Sequence, residues 1–165
     1  MHPAFHTLNL AAVLVLAALS TSASAQNAVV LKSTCQDVGQ TPREALGDRE
    51  GHGISVGQYS CRNEGGATDG AVMTGMVIWE WDKGAAVMVS GNGVNRKPGG
   101  IAVYQNSAGT LSPTMSDGKM TGVTGTAKGV YKTASGSMAS LAGKSFTSTF
   151  HSIGSGQFVI ETTVE

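Results

Sequence analysis

Glycine sets the terms for this chain. All 23 glycines of its 165 residues fall after position 25, about twice the usual frequency of roughly 7% once that leading segment is set aside. They are scattered, not tandem, and apolar residues alternate between them, which suits many short strands joined by tight turns better than a flexible linker. Ala28 to Thr34 reads as a first strand. Further strands are expected over Gly53 to Arg62, Ala71 to Trp81, Ala85 to Val94, Ile101 to Asn106, Thr110 to Met115 and Met120 to Thr133, and over the closing hairpin of Lys144 to Ile153 with Gln157 to Val164. Pro113 marks an edge or a bulge. Thr41-Pro42-Arg43-Glu44 has the cap, proline and glutamate spacing of a helix start, so one short helical turn is expected there before Gly47 and Gly51 interrupt it.

About eight strands at such spacing predict an all-β fold, an antiparallel barrel of calycin-like or allene oxide cyclase-like form whose last strand closes on an early one. Within Ala71 to Trp81, alternation puts Met73, Val77, Trp79 and Trp81 on one face and Val72, Met76 and Ile78 on the other. Both faces are apolar. A barrel whose exterior meets a partner or a second copy would explain that.

The first 25 residues read as a secretory signal peptide, with an unbroken apolar run from Leu10 to Leu19 and a small-x-small site at Ala23-Ser24-Ala25. The run is shorter than the roughly 20 apolar residues that span a bilayer, so no stable membrane insertion is expected after cleavage before Gln26. The leading Met1 to Asn9 carries no Lys or Arg, only His2 and His6. What remains, residues 26–165, fits a single domain exported to the periplasm or the medium. Cys35 and Cys61 are the two cysteines, and in an oxidising compartment they are expected to form a disulfide worth about 3.5 kcal/mol by loop closure.

Eleven basic and eleven acidic side chains balance to zero with the signs interspersed, which argues against a nucleic-acid partner. Gly91-Asn92-Gly93 begins a dinucleotide fingerprint, but Arg96 stands where the third glycine is needed. Gly143-Lys144-Ser145 likewise ends like a phosphate loop, with Met138 at the position of its first glycine. No cofactor is therefore expected. Asp48-Arg49-Glu50-Gly51-His52 could hold a metal only by curling around it, and a solvated acidic loop explains the same residues, so no metal site is assigned. Glu64, Asp69, Glu80 and Asp82 could serve as acids or bases, yet all lie in or beside expected turns.

Trp79, Trp81, Tyr104, Met73 and Met88 are the candidate binding residues, because aromatic and thioether groups lining a barrel make an adaptable apolar pocket. The alternative is that they simply fill the core.

The stretch Asp117-Gly118-Lys119-Met120-Thr121-Gly122-Val123-Thr124-Gly125-Thr126-Ala127-Lys128-Gly129 resembles the Gly-rich strand of barrels related to allene oxide cyclase and the dirigent proteins. Met120 stands where that pattern has an aromatic residue. The likeness in strand order runs from about Thr74 to Glu165 and implies an eight-stranded barrel; no catalytic residue of those proteins maps onto this chain, so their activities are not carried over. The chain as a whole is also similar to a family of exported bacterial proteins without an assigned activity.

Three functions stay open at this point. The first is a non-enzymatic barrel that binds a small apolar molecule or a protein partner near Trp79, Trp81 and Tyr104. The second is an isomerase or cyclase at the barrel mouth using Glu80 or His52. The third is a structural or envelope protein that forms a dimer or another protein interface through Val72, Met76 and Ile78.

Overall fold

A computed structural model describes residues 29–165, so the expected signal peptide at 1–25 lies outside the described residues. Nine strands follow in order: β1 (Val29–Asp37), β2 (Arg43–Ala45), β3 (His52–Glu64), β4 (Val72–Asp82), β5 (Ala85–Lys97), β6 (Gly100–Ser116), β7 (Lys119–Gly136), β8 (Ser145–Gly154) and β9 (Gln157–Val164). Every pairing is antiparallel between neighbours in the order β1-β9-β8-β7-β6-β5-β4-β3-β2, and a further β1–β3 ladder closes eight of them into a barrel. The expected antiparallel barrel of eight strands is the one formed. Its last strand, β9, pairs with β1, as closure required.

Hairpin turns set the registers. Lys83 and Gly84 both have positive φ, as do Asp117 and Gly118, which is the backbone twist that two-residue hairpin loops demand. Cys35 and Cys61 face each other directly in the β1–β3 ladder and form the disulfide, so the covalent bond lies across the seam that closes the barrel. Pro113 sits in β6 past Leu111, the last β6 residue paired with β5, where only β7 remains as a neighbour.

One local expectation is overturned: Thr41 to Glu44 makes no helical turn, and Arg43–Ala45 is a strand paired with Gly53–Ser55 of β3. The free backbone edge of β3 beyond β1 offers hydrogen bonds that outweigh a capping pattern over so few residues. The helical turns lie elsewhere, as single 3-10 turns at Gly66–Thr68 and Ala139–Leu141.

Those two turns close one end of the barrel. Thr68, Ala71, Met138 and Leu141 are buried there, and Ser33 donates to Asn63, which donates in turn to Asn95 at 2.6 Å. The opposite end carries the two-residue turns of β4–β5, β6–β7 and β8–β9, with the strap of residues 38–51 beside them.

Candidate functional site

Toward that second end the bore is hollow. A cavity of about 420 Å³ is enclosed by side chains from every long strand, and Met73, Trp79, Trp81, Met88 and Tyr104 all line it. Strand alternation puts them there: Met73, Trp79 and Trp81 occupy one face of β4, and Val72, on the other face, is 51% exposed. Trp81 is held by its indole N–H, which donates to Ser55 Oγ at 2.8 Å, and by the Arg43 guanidinium stacked 5.3 Å from its ring. Trp79 packs against Phe150 with ring centroids 5.9 Å apart.

Five further aromatic side chains escaped the sequence reading: Tyr59, Tyr131, Phe146, Phe150 and Phe158 also line the cavity. Tyr59 could have been found, since alternation along Gly53 to Arg62 sets it on the face opposite Ile54 and Val56. The others needed the long-range registers. Tyr104 lies across from Tyr131 only because β6 and β7 shift register between Val103 and Tyr104. Asn106 lines the same wall two residues beyond Tyr104.

The entrance follows from the pairing. β2 has a partner only on its β3 side, and Lys119 to Val123 of β7 pair only with β6, so two strand edges face a gap in the wall. The lower rim of this gap is fixed by the Asp37 N–H donating to the Gly156 carbonyl at 2.8 Å. Thr41 and Arg43 from one edge, Met120 from the other, and Gly156 and Gln157 from the rim all line the cavity. Met120 is 58% exposed, and an outer depression beside it shares Asp37, Thr41, Gly156 and Gln157 with the cavity. The bore therefore opens sideways. Partial burial at this rim raises the Asp37 carboxyl above its ordinary range.

His52 and Glu80, the acid and base candidates, are not in the cavity. His52 lies on the outer wall, with Nδ1 2.5 Å from Asp48 Oδ1 and Nε2 2.9 Å from Glu80 Oε1. Carboxylate oxygens flank both ring nitrogens, a geometry that favours the protonated imidazole, whose two N–H groups can both donate. The bond to Asp48 first, and that to Glu80 second, raise the His52 pKa, while the His52 bond lowers that of Asp48. Arg49 extends the cluster to Asp48 and Asp82 at 2.9 and 3.2 Å. With both nitrogens engaged, this acidic loop is a clasp that fastens the strap to β4.

No model of a known protein family matches the chain, and a search of curated proteins finds no match.

Proposed function

We propose that this is an exported β-barrel that binds one small apolar molecule in its bore without transforming it. The observation that carries the reading is the cavity of about 420 Å³, lined mainly by apolar side chains, eleven of them Trp, Tyr, Phe or Met, and entered through a lateral gap. Its size falls within the ~300–1,000 Å³ of small-molecule sites, and its few polar groups would orient an apolar guest. The isomerase or cyclase reading has lost its carriers, because His52 and Glu80 are bonded to each other outside the wall. Export is supported by the apolar leader in the sequence and by the Cys35–Cys61 disulfide, which persists in oxidising compartments. The likeness to allene oxide cyclase and dirigent barrels enters this proposal at the level of fold.

Both tryptophans of the chain line the cavity, so intrinsic fluorescence reports on it directly. Titration with a panel of aromatic, terpenoid-like and lipid probes should give a saturable one-to-one change for at least one class. A flat response across the panel would refute the reading.

The protein-interface reading has one observation of its own. Val56, Val72, Val87 and Val89 are each about half exposed on the outer faces of β3, β4 and β5. Light scattering that finds a dimer, lost on substituting Val87 and Val89 by Thr, would favour it.

A further inference from the structure

The inner wall of the cavity carries phenol O–H groups that the wall itself does not fully use. Tyr59 and Tyr104 hydroxyls lie 2.8 Å apart; Tyr104 is buried and Tyr59 partly buried against the same core. Two phenols carry two O–H hydrogens, and the bond between them uses one. Whichever tyrosine donates within the pair, the other hydrogen has no acceptor among the described residues. Tyr131 adds a third phenol, its ring 6.5 Å from Tyr104 and 5.2 Å from Phe146, and its hydroxyl has no hydrogen-bond partner among the described residues.

The pair is held in position by the backbone. A Cβ on Gly75 would come within 2.5 Å of the Tyr104 hydroxyl and 2.6 Å of the Tyr59 hydroxyl, and one on Gly93 would also overlap Tyr104. Only glycine lets the phenols seat against β4 and β5, so the donors are fixed before any guest arrives. Burial raises all three pKa values, that of Tyr131 to about 12, so these groups offer O–H and not phenolate over the ordinary pH range.

We infer that the bore takes a neutral carbonyl compound, a ketone, ester or quinone oxygen on an apolar body, with that oxygen accepting from the phenols of Tyr59, Tyr104 and Tyr131. This rests on the cavity-binding reading above and names its ligand chemistry. A pure hydrocarbon would leave the spare hydrogens unpaired in a desolvated wall. A carboxylate would carry its charge into a cavity where, among the described residues, Arg43 over Trp81 is the one cationic lining side chain and Asp37 adds a carboxyl group of its own.

The test uses an isosteric pair, cyclohexyl phenyl ketone and cyclohexylphenylmethane, with cyclohexylphenylacetate as the anionic arm, each titrated by tryptophan fluorescence. The ketone should bind about tenfold more tightly than the hydrocarbon. In Tyr59→Phe/Tyr104→Phe that preference should fall to within about twofold, while hydrocarbon binding holds. The infrared carbonyl band of the bound ketone should shift to lower frequency than in cyclohexane, a readout that needs only the unmodified protein. Should the double variant not fold, Tyr131→Phe is expected to weaken ketone binding alone. Equal binding of ketone and hydrocarbon, an unshifted carbonyl band, or tighter binding of the acetate overturns this inference and leaves the cavity reading standing. Failure of all three probes to bind removes the ground beneath both.

Discussion

The two ends of this barrel are built from the same strands and end differently. At one end, residues 65–71 and 137–144 connect strands through 3-10 turns that fold inward, and they bury Thr68, Met138 and Leu141 across the bore. At the other, three two-residue turns have nothing to insert, and the bore stays open behind Trp79 and Trp81. Whether the links fold into the bore decides which end is core and which is site. Small barrels have just enough interior for either outcome.

The broadest challenge to that comparison removes what both ends share. Replacing Cys35 and Cys61 together by Ser frees the β1–β3 seam and should cost about 3.5 kcal/mol, read as a lowered denaturation midpoint. If the double variant kept full stability, the seam would be closed by its ladder alone.

A sharper contrast sets one methionine at each end against the other. Met138 is fully buried in the plug, so Met138→Ala should cost about 2–5 kcal/mol. Met88 borders existing space, so Met88→Ala should cost about 1 kcal/mol and admit a bulkier guest. Equal losses from urea melts would mean that the two ends do not differ in packing.

Next in size is the polar relay beneath the plug. Asn63 accepts from Ser33 at 2.8 Å and donates to Asn95, so Asn63→Ala orphans buried groups on two strands. A loss of about 1–3 kcal/mol is expected, with ligand titrations unchanged because the relay lies away from the cavity. Altered binding would show that the closed end tunes the open one.

How much of this was legible in the sequence differs between the ends as well. Alternation along β4 was enough to gather Met73, Trp79 and Trp81 on the cavity face, because no bulge interrupts that strand's own pleat. On β5 the same rule fails. The irregularity opposite Ile78 and Trp79 leaves Val89 unpaired, so Met88 and Asn95 both point inward although simple alternation would separate them. Bulges of this kind depend on the partner strand, which a single segment does not encode. The plug was equally hidden: Met138, Leu141 and Ala142 have a spacing that suits a helical turn, yet nothing local says that such a turn folds into the bore. Arg43 and the lateral gap follow from where β1 stops pairing with β3, again a tertiary fact.

The smallest expected effect concerns the strap beside the mouth, and here the sign can be worked out. His52 is raised above its ordinary value near 6.5 by Asp48 and then Glu80, while Arg49 opposes the charge. A group whose folded pKa is raised contributes its full stabilisation below the unfolded value and loses it as pH climbs through the folded one. The clasp should therefore hold at mildly acidic pH and slacken above the raised His52 pKa. Its direct reporters are the amides of Leu46, which donates to the His52 carbonyl at 3.2 Å, and of His52, which donates to that of Arg49 at 3.3 Å. Hydrogen exchange corrected for intrinsic rates should show their protection falling with rising pH, while amides in the closed-end plug stay constant. In His52→Gln the pH dependence should vanish, because an amide does not titrate in this range. A variant that kept the same profile would place the switch in another group, and the strap would then be fixed by the β2–β3 ladder and not by the imidazolium.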